Sequence, residues 1–274
     1  MSQNSTIGQR APPQFARRSW RHPSTILITG ASGGIGAALS RSYAQAGCTL
    51  ILHGRDASRL QCVARECELR GAVVHGVTFD LRDAEAAIAT LRSLSNQYPI
   101  DLAIINAGVS RSVREGTEED HWEATRAVLA VNLDGAIASI AGVLPDMRRR
   151  GAGQIAIMSS LSAYYGLPLT PAYCASKAAM KVYGEALRGS LAPQGIAVNV
   201  VLPGFVKTSM SDRFPGPKPW LMTPDRAATL IRRGLERNSA RIAFPRILAW
   251  GMRLLSLLPS GLSQWMVRVS GYSL

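Results

Sequence analysis

Thr25-Ile-Leu-Ile-Thr29-Gly30-Ala-Ser-Gly-Gly34-Ile-Gly36 is the stretch whose reading decides the fold. Its first five residues form a short apolar, β-branched run of the kind buried on both faces of a parallel sheet. Gly30, Gly33, Gly34 and Gly36 follow at once, and a helical stretch then runs to about Ala46. Glycine lets a backbone turn tightly from strand into helix and approach a pyrophosphate resting on the free amides of the helix N-terminus. The spacing is Gly-x-x-x-Gly-x-Gly rather than the familiar Gly-x-Gly-x-x-Gly. A glycine turn gains meaning from its place, which here is directly after a strand and at the head of an alternating series.

Working outward, Thr49-Leu-Ile-Leu-His53 reads as a second strand, ending in Gly54-Arg55. In a dinucleotide fold this strand end meets the adenosine ribose, where an acid accepts the 2′-hydroxyl of NAD. Arginine there suits a 2′-phosphate by charge and by bidentate geometry, so NADP is expected, with NAD as the alternative. Helices are then expected at about 56–70, 84–96, 118–149, from Pro171 to before Gly195, and at 224–237. Strands are expected at 73–78, 101–105, 154–158, 196–202 and 240–244. The class that follows is α/β, a single doubly wound Rossmann domain over 24–245 with helices on both faces of a parallel sheet. Right-handed crossovers bring the strand ends to one edge, and with them Gly30, Arg55, Asp80, Asn106, Ser160 and Pro203.

Tyr173-Cys-Ala-Ser-Lys177 lies on one of these helices. Residues four apart share a helix face. An ammonium beside a phenol favours phenolate, so the tyrosine's pKa is expected to fall from about 10 toward the working range. Such a group donates a proton to a carbonyl being reduced or accepts one from an alcohol being oxidised. Residues 205–222 are rich in proline and aromatics and read as a lid. Phe205, Met210, Phe214, Trp220 and Met222 make it apolar, while Lys207, Arg213 and Lys218 suit an anionic group.

The net charge of +13 is carried by the two ends. Residues 1–24 carry +4, residues 226–274 carry +7, and 25–225 only +2. That distribution argues against nucleic acid and fits solubility, an anionic partner or a membrane surface. Cys48, Cys62, Cys67 and Cys174 show neither metal nor disulfide spacing and read as reduced thiols, giving a cytoplasmic expectation. Residues 1–23 lack an apolar core and read as a disordered basic arm rather than a secretory signal, a transit peptide being the alternative. No apolar run approaches the roughly 20 residues needed to span a bilayer. The 246–274 tail reads as helical, apolar nearly all round over Ile247–Leu258, with Arg253 inside it and Arg246, Arg268, Trp250 and Trp265 about it. It either packs on the fold, lies across a subunit contact, or touches a membrane surface.

Over about residues 24–245 the chain resembles the short-chain dehydrogenase/reductase family. The motifs are Thr29-Gly30-Ala-Ser-Gly-Gly34-Ile-Gly36, Asp80, Asn106-Ala-Gly108, Asn132, Ser160, Tyr173-x-x-x-Lys177 and Pro203-Gly204 with Thr208. The resemblance implies that Gly30, Gly34 and Gly36 hold the pyrophosphate with Ile35 alongside. It places Asp80 by the adenine, Asn106 by its ribose, Lys177 on the nicotinamide ribose and Thr208 on the carboxamide. Ser32, Leu81, Ala107, Gly108, Pro203, Gly204 and Val206 complete the implied cofactor contacts, with Arg55 and Tyr173. It makes Tyr173 the general acid/base, with Ser160 polarising the substrate oxygen and Asn132 steadying a relay water. Gly33 departs from the pattern, since this position is often polar or basic in NADP-dependent members. A small carbonyl or alcohol substrate and a homodimer or homotetramer through the helices at 118–149 and 171–192 are also implied. The competing readings are a nucleotide sensor without turnover, a reductase of lipid or surface-polysaccharide precursors, and a sugar-nucleotide epimerase, the last disfavoured by its different glycine turn.

Overall fold

The computed structural model describes residues 22–112 and 118–272, without the side chains of 118–121. All but the last two residues of the expected N-terminal arm therefore lie outside the described residues.

Seven parallel strands form one sheet: β1 Thr25–Thr29, β2 Thr49–His53, β3 Val73–Val77, β4 Leu102–Ile105, β5 Gly153–Met158, β6 Ile196–Pro203 and β7 Arg241–Phe244. Their spatial order is β3-β2-β1-β4-β5-β6-β7. The order reverses between β1 and β4, whose register pairs Ile26 with Leu102 and Ile28 with Ile104. A sheet of this kind opens its ligand crevice at that reversal, beyond the strand C-termini.

Alternation along β1 assigns each face. Ile26 and Ile28 pack with α1 (Gly34–Tyr43), α2 (Ala57–Glu68) and α8 (Pro224–Glu236) through Leu39, Val63 and Ile231. Leu27 faces the other side, packing with α3 (Ala84–Gln97), α5 (Gly135–Arg150) and α6 (Pro171–Leu191) through Leu91, Val143 and Met180. Both layers are apolar, and these side chains are almost fully buried. Burial of roughly 25 cal/mol per Å2 of apolar surface on two faces makes the sheet a rigid platform for its loops.

The helix expected at 118–149 is not uniform. It begins as α4 (Glu118–Leu129), widens into a π turn at Ala130–Asp134 and resumes as α5. The wider turn carries Asn132. This assembly also corrects the expectation about membrane-length runs, because Trp122–Arg150 is long and apolar enough to cross a bilayer by length and composition. Its apolar side is spent on the sheet, with Ile140, Val143 and Met147 fully enclosed.

Beyond the sheet's edge, α9 (Arg246–Leu255) and α10 (Ser260–Val267) fold back over the strand ends, followed by a last turn at Arg268–Tyr272 that is kinked at Gly271, φ +84°. Leu248, Ala249 and Met252 pack on Leu161, Val200 and Leu202. Arg253 donates to the Tyr164 hydroxyl at 2.7 Å, and the Tyr165 and Ser263 hydroxyls are 2.9 Å apart. Tyr272 donates to the Pro217 carbonyl at 3.0 Å and stacks toward Phe214. The tail thus packs on the fold, as one of its three readings had it, and it also wedges against the 205–222 connection.

Candidate active site

A cavity of about 1210 Å3 opens at the C-terminal edge of the sheet. That exceeds the 300–1,000 Å3 usual for a drug-sized ligand and has room for a dinucleotide together with a second molecule. Its walls come from the glycine turn, the ends of β2 to β6, the 205–222 connection and the two C-terminal helices.

The glycine turn explains its own sequence. Gly34 sits at φ +56°, and a side chain there would strike the Thr208 methyl at 2.9 Å. Gly36 does not line the cavity. It packs underneath, where a Cβ would collide with the Gly30 carbonyl oxygen and come within 2.6 Å of the Asn106 amide nitrogen. Asn106 ties the turn down, donating to the Thr29 and Gly30 carbonyls at 2.9 and 3.1 Å. The Thr29 hydroxyl in turn accepts from the backbone of Asn106 and Ala107. Asn106 is thus first a clamp on the turn.

At the far end of the cavity the charges divide. Asp80 is held by Arg82 at 2.6 Å, which keeps its carboxyl below the usual range. Arg55 and Arg59 line the wall, and neither forms an ion pair with a described residue. Arg59 is the residue the sequence reading missed. Its guanidinium lies across Gly33, 2.7 Å from where a side chain on that glycine would start. The bare Gly33 therefore leaves space that a cation from α2 fills. The available signal was spacing: Arg59 stands one helical turn beyond Arg55, with Asp56 capping the helix between them.

The helix α6 presents Tyr173 and Lys177 to the cavity. Pro171 sits in its first turn, where a missing N–H costs nothing. Lys177 is 5% exposed and its ammonium donates to the Met158 carbonyl at 2.9 Å. It lies 5.7 Å from the centre of the Tyr173 ring. Burial pushes the Lys177 pKa down to about 8. The Tyr173 phenol is pushed up to about 12, because loss of water outweighs the lowering by its hydrogen bond with Ser160. This corrects the expectation of an acidified phenol: desolvation dominates both groups, and the ammonium is spent on a backbone carbonyl. Tyr173 is accordingly protonated at neutral pH.

Ser160 caps a short 3-10 turn at Leu161–Ala163, accepting from the Ser162 amide at 3.2 Å. Its own proton reaches the Pro203 carbonyl only at 3.5 Å, a weak bond that a better acceptor displaces. Asn132 is 1% exposed and does not line the cavity. Its amide accepts from the Val109 N–H at 2.8 Å and donates to the Val109 carbonyl and the Ser176 hydroxyl at 2.9 and 3.1 Å. These three bonds pin the loop after β4 to the helix that carries Tyr173. Gly108 fits between, since a Cβ there would stand 3.3 Å from Asn132 Oδ1 and 3.4 Å from Lys177 Nζ.

Of the remaining expected residues, Ser32, Ile35, Leu81, Ala107, Pro203, Gly204, Val206 and Thr208 all line the cavity. Thr208 also caps α7 (Ser209–Arg213) in a reciprocal pair with Ser211. The expected lid divides. Phe205, Met210, Phe214 and Trp220 line the wall, as do Arg213 and Lys218. Met222 does not; it bridges to Val206 and packs on the core. Lys207 faces away and pairs with Asp212 at 2.7 Å. No group of three or more potential metal ligands occurs among the described residues.

A family profile described as short chain dehydrogenase matches residues 24–216. The chain belongs to the short-chain dehydrogenase/reductase family. It is an oxidoreductase of that type, and the family's cofactors are NAD and NADP. An uncharacterized oxidoreductase of Myxococcus xanthus is 34% identical to this family member over 249 residues, covering 90% of this chain and 96% of that one. Dehydrogenase/reductase SDR family member 7B of Danio rerio is 34% identical over 220 residues, covering 75% and 70%. Among solved structures, a short-chain dehydrogenase from Sphingobium yanoikuyae in complex with NADPH superposes at TM-score 0.75 with 28% identity, covering 89% of this chain and 95% of that one. A putative NAD(P)-dependent gluconate 5-dehydrogenase from Beutenbergia cavernae with bound NADP gives TM-score 0.70 at 27% identity, covering 81% and 94%. The Rossmann architecture read from the sequence is thus the family's own.

Proposed function

We propose that this chain is an NADP-dependent carbonyl reductase, with Tyr173 as the proton donor and Ser160 as the group that polarises the substrate oxygen. The observation that carries the reading is the meeting of Ser160, Tyr173 and Lys177 in one cavity with the glycine turn. Those residues suit a dinucleotide. The turn has no Cβ at Gly30, Gly33 and Gly34, and it opens α1, whose first amides are free for a pyrophosphate. Arg55 and Arg59, which form no ion pair with a described residue, suit a 2′-phosphate and favour NADP over NAD.

When bound, the nicotinamide supplies the hydride that carbonyl reduction consumes. The chain's own residues handle the proton and the charge. Tyr173, protonated at rest, gives its proton to the carbonyl oxygen. Ser160 exchanges its long bond to Pro203 for one to the same oxygen as negative charge builds there. Lys177 stays charged below about pH 8 and steadies the phenolate that Tyr173 becomes. Asn132 fixes the distance between the β4 loop and α6 through Val109 and Ser176. The cavity's wall of Phe205, Phe214, Met252 and Leu255 favours an apolar carbonyl compound.

The test is a cofactor-consumption screen against ketones and aldehydes of graded apolar size, run with NADPH and with NADH. Consumption with NADPH exceeding that with NADH supports the reading. Saturable NADPH binding with no consumption across the panel favours a nucleotide sensor instead.

A further inference from the structure

We infer that the two C-terminal helices seat this chain on an anionic phospholipid surface, with the cavity's apolar wall at the lipid side. α9 and α10 have two differently used sides. Inward, Leu248, Met252, Leu255, Met266 and Val267 line the cavity. Outward, Ile247, Trp250, Leu254 and Leu257 recur at helical spacing and are between 61% and 81% exposed. Trp265 and Val269 continue the exposed apolar series through α10 and the turn after it. A run of large apolar side chains left in water across consecutive helices marks a binding surface rather than ordinary scatter.

Charge selects the occupant. From Arg237 to the end of the sequence there are five arginines and no aspartate or glutamate. Arg246 and Arg268 are exposed beside the apolar residues. Arg253 lies between the rings of Tyr164 and Trp250, at 4.9 and 5.4 Å from their centres. Its charge is therefore held at the rim of the apolar face. A second copy of the same surface would set these arginines against one another with no carboxylate to meet them. A bilayer bearing anionic headgroups offers phosphates to the cations and hydrocarbon to the tryptophans, whose rings favour that boundary. Helices of 10 and 8 residues are too short to cross and long enough to lie in the interface. The docking surface stands independently of the catalytic proposal. Only its consequence, that an apolar carbonyl substrate enters from the lipid, rests on that proposal.

The experiment is co-sedimentation of the full chain with phosphatidylcholine vesicles, with and without phosphatidylglycerol. The expected result is binding that needs phosphatidylglycerol and weakens with salt. The triple variant Trp250→Ser, Leu254→Ser and Trp265→Ser should lose at least tenfold in vesicle affinity, and Arg246→Glu with Arg268→Glu several-fold. None of these five residues lines the cavity, so NADPH binding should stay at the wild-type level in both variants. Full-length protein left in the supernatant with anionic vesicles overturns the inference. So does a dimer, measured by analytical ultracentrifugation, that the triple variant dissociates, because the face then belongs to a second copy. Vesicle binding is read without turnover, so a failure here and a failure of the reductase proposal are separate results.

Discussion

Replacing Lys177 with methionine exposes a conflict between stability and chemistry at the heart of the site. Lys177 is 5% exposed, and its pKa lies at about 8 against 10.5 for the free side chain. Because the folded value is the lower one, the unfolded chain binds more protons between those two pH values. Stability contributed by this group therefore rises with pH across that window, and the charged form is penalised below it. At about 1.36 kcal/mol per pKa unit, the full difference is on the order of 3 kcal/mol, of which about 2 kcal/mol is exchanged between about pH 7.5 and 9.5. Methionine removes the charge at every pH and also loses the bond to the Met158 carbonyl. That second loss is independent of pH, so the difference between the proteins isolates the proton. Urea unfolding of both chains, followed by circular dichroism without cofactor, should show wild type gaining about 2 kcal/mol on Lys177→Met over that range. Reductive turnover of the wild type should fall across the same window, because the departing proton takes with it the cation that steadies the Tyr173 phenolate. A stability difference that stays flat with pH, or moves the other way, refutes the reasoning.

Gly36→Ala drives a methyl group into the Gly30 carbonyl and the Asn106 amide, so it should destabilise by about 1–3 kcal/mol and weaken NADPH binding more than tenfold, read by thermal unfolding and by nicotinamide fluorescence. Arg55→Ala and Arg59→Ala should each weaken NADPH binding about tenfold while leaving NADH within twofold, because a lost charge-assisted bond to phosphate costs about 1.5–3 kcal/mol. Equal losses for both nucleotides would remove Arg59 from the 2′-phosphate. Asn132→Ala should lower turnover more than it weakens NADPH binding, since the amide fixes the loop after β4 against α6 rather than lining the cavity; rescue by Asn132→Asp should be partial, as aspartate can still accept from the Val109 N–H but cannot donate to Ser176.

The sheet was legible in the sequence because its strands are short, apolar and separated by amphipathic stretches of helical length. So was the edge at which Gly30, Arg55, Asp80, Asn106, Ser160 and Pro203 meet, since the handedness of βαβ crossovers leaves no other place for strand ends. Three features were not. The π turn at Ala130–Asp134 adds one residue to a helical turn without any local marker, and only the bond from the Gly135 N–H to the Ala130 carbonyl five residues back reveals it. The protonation of Tyr173 was misjudged because spacing reports proximity to Lys177 but not the burial of both. Arg59 was overlooked because its guanidinium reaches across α1's entry to occupy the space over Gly33, a tertiary contact between segments 26 residues apart. The C-terminal helices were open to three readings, and packing alone separates their cavity side from their exposed side.

The most direct measurement is single-turnover oxidation of enzyme-bound NADPH by a carbonyl substrate found in the screen, comparing wild type with Tyr173→Phe. The phenylalanine keeps the ring and removes the hydroxyl, and with it both the proton and the hydrogen bond with Ser160. The account predicts hydride transfer slowed by about 10^2–10^4-fold with NADPH affinity within twofold of wild type. A variant that reduces the same substrate at the wild-type rate contradicts it.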